Sequence, residues 1–271
     1  MRIVKDKIAL SAAIFVSGII LVSIMAPLVS PYDPLSIDLD SLRMPPSLQH
    51  LLGTDNKGRD VLSRIIYGAR ISLSVAVIAT VVSMTIGLSL GLLSGYIGGK
   101  TDAVITMLID IVMAFPSLLL AIGISAVLPP GIYTVIIALG VVGWASFARL
   151  MRGTVLTIKG LPYVESARAL GCSAYRVALW HILPNAIPIA IVVASLRIGG
   201  FILAEASLSF LGLGAQPPMP TWGSMISSGR GYILSAPWMV IAPGLAIAVT
   251  TVSFNILGDH LRDAMDPNLR D

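Results

Sequence analysis

Few side chains in this sequence are equipped for bond-making chemistry, and their spacing argues against the usual sites. The histidines, His50, His181 and His260, are scattered and share no short ligand spacing, so a metal cluster is not expected. Cys172 is the single cysteine, which excludes an internal disulfide framework. Residues Ser94–Thr101 (SGYIGGKT) end like a phosphate-binding loop. The leading glycine of such a loop would fall at position 94, which is Ser, and the stretch follows an apolar run rather than a soluble strand. Gly98-Gly99-Lys100 therefore reads as a turn with a basic flank, and nucleotide binding is not expected here.

Three charges sit inside apolar runs, where each is costly and marks a functional or paired group. Asp110 falls about 9 Å into its run and Arg197 about 16 Å into another, at 1.5 Å per helical residue, and Glu205 lies nearer the far end. A contact between Asp110 and Arg197 is expected if their helices are neighbours, as a structural pair or as part of a pathway wall. Arg197 and Glu205 are separated by roughly 80° around a helix, which disfavours direct pairing.

The elements that must carry these residues are membrane helices. Only 12% of residues are charged and 56% are hydrophobic, and windows 8–32, 71–99, 111–148 and 231–258 contain no Asp, Glu, Lys or Arg. A span needs about 20 apolar residues, so the sequence reads as an all-α membrane protein with six transmembrane helices near 8–29, 71–96, 104–128, 132–150, 186–211 and 237–257. The first run is too long for a signal-peptide core and lacks a small-x-small cleavage site, so it is read as a retained helix. Phe115-Pro116 predicts a kink in the third span. The net charge of +4 is carried by residues flanking the spans, which suits lipid and topology rather than nucleic acid. Arg2, Lys5, Lys7, Lys100, Arg149, Arg152, Lys159, Arg168, Arg176, Arg262 and Arg270 fall on one side. They outnumber Arg43, Lys57, Arg59, Arg64, Arg70 and Arg230 on the other, giving an N-in/C-in orientation.

The resulting organisation is a cytosolic stub with the first helix (1–30), an extracytoplasmic segment (31–70), a five-helix core (71–258) with a cytosolic loop at about 151–185, and a cytosolic tail (259–271). Ser83, Gly87, Gly91 and Gly95 recur every four residues and offer a smooth face for close helix packing. In the extracytoplasmic segment Val61, Leu62, Ile65, Ile66 and Ala69 share a helical face, with Thr54 or Asp55 available as its cap. Either it floats on lipid or it receives a partner, and the loop 214–236 with Trp222 is a second docking candidate.

The polar excursion Tyr163–Pro188 (YVESARALGCSAYRVALWHILPNAIP) interrupts the oily runs. A helical run, Tyr163–Leu170, stops at Gly171; a second, Ser173–Leu183, is capped by Ser173 and stops at Pro184. This helix–turn–helix with mixed charged and apolar anchors fits either an interfacial linker or a docking surface for a soluble partner.

The spacing Glu165-Ser166-Ala167, three residues, Gly171, nine residues, His181-Ile182-Leu183-Pro184 resembles the EAA loop of ABC importer permeases, E-A-A-x3-G-x9-I-x-L-P. Ser166 replaces an alanine, and His181 stands at the isoleucine position, as in the dipeptide, oligopeptide and nickel branch. Further stretches resemble the same branch: Leu52–Asp55 with Gly58–Val61, Leu208–Gly214, Trp222-Gly223, and Phe254-Asn255 through Asp266-Pro267. The resemblance implies a type I ABC importer permease fold in the cytoplasmic membrane, with Glu165, Ser166, Ala167, Gly171, Leu183 and Pro184 coupling the spans to an ATPase. It also implies a second, homologous permease subunit, two ATP-binding subunits that hold ATP and Mg, an external solute-binding protein and a non-catalytic role for this chain. Dipeptides, oligopeptides, glutathione-like peptides and nickel are all substrates in that branch. A secondary transporter is the rival of another class, but no internal repeat is visible. A membrane-embedded enzyme would need a clustered His/Asp/Glu site within the spans, and none is visible.

Overall fold

The computed structural model describes residues 7–265. Helix α1 (Lys7–Ile24) and the single turn α2 (Ala26–Val29) lead into an irregular segment with one 3-10 turn at Leu39–Ser41. Then follow α3 (Val61–Ile97), α4 (Gly99–Ala114), α5 (Ser117–Val127) and α6 (Ile132–Lys159). The polar excursion holds α7 (Pro162–Ala169), α8 (Ala174–Arg176) and a π-helical turn, Val177–Ile182, that runs into α9 (Leu183–Phe210). Helices α10 (Trp222–Gly229) and α11 (Trp238–Met265) complete the described chain. Met1–Asp6 and 266–271, including Asp266-Pro267 and Arg270, lie outside the described residues.

Among the described residues five helices are long and apolar enough to cross a membrane, and the α4–α5 pair makes a sixth when its halves are counted as one span. The kink predicted at Phe115-Pro116 is a turn of 91°. Proline lacks the N–H that would continue α4, and its ring pushes the preceding residue out of the helical region; Phe115 is extended, at φ −92°, ψ 142°.

Three boundaries differ from the sequence reading. Helix α3 begins at Val61 and crosses the expected division at 70/71 without a break. Its cap is Asp60, whose carboxylate accepts from the backbone N–H of Ser63 at 2.7 Å. Thr54 and Asp55 are occupied elsewhere: the Thr54 hydroxyl accepts from the Met44 N–H at 2.7 Å, and Asp55 holds Arg59. The second run of the excursion does not stop at Pro184 but continues through the π turn, forming one helix from Ala174 to Phe210. Pro184 directly follows the π turn, where the Leu183 N–H reaches back to the Ala178 carbonyl, and this local change of hydrogen-bond register accommodates a residue without an N–H. The expected tail begins as helix, because α11 runs on to Met265.

Helix α3 packs most extensively on α6. A Cβ added at Gly91 would stand 2.5 Å from the Ala148 carbonyl oxygen, and one at Gly95 would stand 2.8 Å from Val155 Cβ. One at Gly87 would collide with Phe147 and the Trp144 carbonyl. The fourth residue of that stride, Ser83, donates to the Leu139 carbonyl at 3.3 Å. Small residues let these two backbones meet where side chains would hold them apart.

The two ends of α3 anchor two different polar assemblies. At its start, Asp55 pairs with Arg59 at 2.7 Å, and Asp60 meets His50 Nδ1 at 3.0 Å. Arg64 donates to the Pro34 carbonyl at 2.9 Å, and Trp238 Nε1 donates to the Thr54 carbonyl at 3.1 Å. Thr54, Asp55, Arg59 and Asp60 are all buried, so the segment before α3 is a fixed knot. The face expected to float or dock is also covered: Trp222 is fully buried and its Nε1 donates to the Ile65 carbonyl at 3.1 Å. Trp222 is therefore an internal pin and not an exposed docking anchor.

Candidate functional site

At the other end of α3, the polar excursion is built onto the bundle. Pro162 opens α7, where a missing N–H does no harm, and Glu165 lies in the first turn, favourably placed against the helix dipole. Val164 and Ala167 turn inward onto Met151, Val155, Val177 and Ile182, while Glu165 and Ser166 face outward. Ala167 therefore needs a small side chain for packing, and Glu165 has a free face.

Gly171 ends α7 with φ +83°, a conformation that costs about 1–2 kcal/mol for a residue with a Cβ. Its N–H donates to the Arg168 carbonyl at 2.9 Å, and the Cys172 N–H donates to the Ala167 carbonyl at 3.1 Å. These paired bonds form a Schellman cap, which satisfies the last carbonyls of α7 and reverses the chain. A Cβ at Gly171 would touch nothing within 4 Å, so the glycine is needed for its backbone angle and not for space. Ser173 then caps α8, its hydroxyl accepting from the Arg176 N–H at 3.4 Å.

The π turn is tied back to α7. Tyr163 donates its hydroxyl to the His181 carbonyl at 3.3 Å, and Asn185 Nδ2 donates to the same carbonyl at 2.8 Å and to Tyr163 Oη at 3.1 Å. Ile182 is fully buried, while Leu183 is half-buried and Pro184 exposed. The excursion leaves large apolar side chains in the open: Leu170 is 85% exposed, Tyr175 73% and Trp180 74%.

An ionic clamp joins this unit to α3, α4 and α6. Arg152 grips Asp102 with Nε at 2.6 Å and Nη2 at 2.7 Å, and the Ser94 hydroxyl donates to the same carboxylate. Lys159 Nζ donates to the Gly95 and Tyr96 carbonyls at 3.3 and 3.2 Å, occupying open acceptors at the end of α3. The Arg168 guanidinium lies 5.3 Å from the Tyr96 ring centroid, linking α7 to the same helix end. Sequence reasoning gave Arg152 and Lys159 a topological role only and passed over Asp102, because partners 50 residues apart leave no local signature.

The membrane-depth charges are not brought together. The expected Asp110–Arg197 contact is absent: Asp110 pairs with Arg149 of α6, which packs beside α4, whereas Arg197 lies on α9. Glu205 is 2% exposed, and its Oε1 accepts from the Ser209 hydroxyl at 2.6 Å, one helical turn on. Arg197 is exposed and lines a cavity of about 390 Å³ between the α4–α5 break, α6 and α9. Among the described residues no group of three or more His, Cys, Asp or Glu side chains is placed to hold a metal ion.

Comparison with known proteins fits this architecture. The family described as the binding-protein-dependent transport system inner membrane component matches residues 87–271, and the N-terminal TM domain of oligopeptide transport permease C matches residues 1–46. The glutathione transport system permease protein GsiD of Shigella flexneri serotype 5b (strain 8401) is 47% identical over 270 residues, covering 99% of this chain and 89% of its own. The GsiD protein of Escherichia coli O6:K15:H31 (strain 536 / UPEC) is 46% identical over the same coverage. Among solved structures, the inward-facing MetNI methionine ABC transporter superposes with a TM-score of 0.62 at 17% identity, covering 76% of this chain and 98% of that one. An amino acid ABC transporter with histidines gives 0.58 at 17%, covering 75% and 95%. These two share the fold. The family match over most of the chain, and the close relatives along nearly all of it, mean that this protein belongs to the binding-protein-dependent permeases of ABC importers, multi-pass non-catalytic subunits of the inner membrane, in the oligopeptide-permease branch.

Proposed function

We propose that this chain is one of two permease subunits of an importer for small peptides of about the size of glutathione, and that α7, Gly171 and α8 seat in a groove of a cytosolic ATPase subunit. The peptide reading is supported by the relatives' own description as glutathione transport permeases. Nickel, the other cargo of the branch, has no comparable support here.

The observation that carries the coupling reading is the exposure of Leu170, Tyr175 and Trp180 on a segment whose backbone is otherwise firmly capped and pinned. Large apolar anchors on a rigid helix pair fit helix-in-groove recognition by a soluble partner. Glu165 faces outward from the same unit and supplies a carboxylate for a basic residue of that groove. ATP and Mg2+ belong to the ATPase subunits, and the external binding protein delivers the peptide on the opposite face.

Two measurements test the proposal. With Cys172 replaced by Ser, Leu170→Cys or Tyr175→Cys is expected to cross-link to an ATPase subunit, while Leu203→Cys, exposed far along α9, is not. Failure of both inner positions to reach an ATPase sinks the coupling role. Proteoliposomes holding the complete transporter are expected to accumulate glutathione in an ATP- and binding-protein-dependent way, and absence of uptake of any small peptide sinks the substrate reading.

A further inference from the structure

Arg197 sits midway along α9, about 20 Å from Leu183 at 1.5 Å per residue. It lies within a candidate membrane span, where a guanidinium is costly and persists when it serves a pathway or a partner. Among the described residues its side chain makes no hydrogen bond and no ion pair. Neither of the other two charges placed within the apolar runs pairs with it: Asp110 pairs with Arg149, and Glu205 accepts from Ser209 through Oε1.

The space it faces is a pocket of about 390 Å³, within the range of roughly 300–1,000 Å³ typical of small-molecule sites. Among the described residues its wall carries no Asp or Glu. Phe115 and Phe201 supply aromatic surface, and Ser117 and Ser146 supply neutral polar groups. Such sites are mostly apolar with a few placed polar groups that fix orientation. A guanidinium presents a planar fork of donors that matches a carboxylate with two parallel hydrogen bonds.

We infer that this cavity is a carboxylate subsite on the translocation path, in which Arg197 binds the free C-terminal carboxylate of the peptide while the aromatic wall accepts its apolar part. The inference rests on the peptide reading above and adds to it the chemical group that this subunit recognises. A zwitterionic peptide crossing the membrane must leave water with its carboxylate charged, and an unpaired fork of donors at mid-depth replaces the lost hydration.

The test uses the complete transporter in proteoliposomes. Glutathione and dialanine are each supplied as the free acid and as the C-terminal amide, at concentrations that saturate the binding protein, so that differences in uptake arise after delivery. The wild type is expected to move the acids at least about ten-fold faster than the amides. Arg197→Met is expected to lower acid uptake about ten-fold and leave amide uptake unchanged, which brings the ratio near one. Arg197→Lys, which keeps charge without the fork, is expected to fall between. Basal ATPase activity reports assembly, and if the Met variant fails to assemble the ratio is read on the Lys variant.

An acid-to-amide ratio unchanged in the assembled variants overturns the inference. So does equal loss of both forms, because that is the signature of an arginine paired with an acidic residue of another subunit. A wild type that moves peptides without preferring acids overturns it as well, and leaves the peptide reading standing. A wild type that moves no peptide in either form removes the peptide reading itself, and the inference with it.

Discussion

Asp55 holds two arginines at once from inside a buried turn. Its Oδ2 lies 2.7 Å from Arg59 and 3.4 Å from Arg64, and all three side chains are less than a tenth exposed. Removing one partner from such a set strands charge away from water, which typically costs about 3–5 kcal/mol. Asp55→Asn is therefore expected to lower the thermal midpoint of the purified complex by many degrees. Asp33→Asn, on an exposed carboxylate, is expected to leave it unchanged. The stretch around Asp55 was visible in the sequence only as a string of residues resembling a family. Its physical meaning, a salt-bridged knot that seats Trp238 and starts α3, depends on Pro34, His50 and Trp238, which no local pattern links to it.

Helices were the more legible part, for reasons that vary from one to the next. The long apolar runs of α1, α3, α6, α9 and α11 advertise membrane spans because lipid demands a continuous stretch of that length. Pro116 announced a bend because its chemistry is local, but the size of the turn depends on packing and could not be read. Pro184 misled for the complementary reason. A proline reads as a stop, yet directly after a π turn the helix tolerates it. Gly87 belongs to the legible class, and its environment yields a sharp expectation. Gly87→Ala drives a methyl into Phe147 and the Trp144 carbonyl and should destabilise by about 1–3 kcal/mol. Gly153→Ala, on a face with nothing within 4 Å, should not. Equal thermal midpoints for the two variants would remove the tight α3–α6 seam from the account.

On the scale of the whole molecule, the capped turn at Gly171 sets the direction in which the excursion presents its apolar anchors. Gly171→Ala forces a Cβ into a left-handed conformation and is expected to reduce both binding-protein-stimulated ATPase activity and uptake several-fold. Gly171→Asn, which tolerates that backbone region better, should retain more of both. Equal activity of the alanine variant and the wild type would show that the turn geometry is irrelevant to coupling.

Because the helix from Ala174 to Phe210 is unbroken over 37 residues, it amounts to a single lever about 55 Å long. Trp180 sits near one end, Arg197 about 25 Å further along and Glu205 further still. Between Trp180 and Arg197 lie the end of the π turn, Pro184 and Pro188, the points at which this helix can bend, so they set how much of a push at the cytosolic end reaches the guanidinium. A few degrees of swing would carry Arg197 by ångströms, and with it the wall of the cavity that it lines.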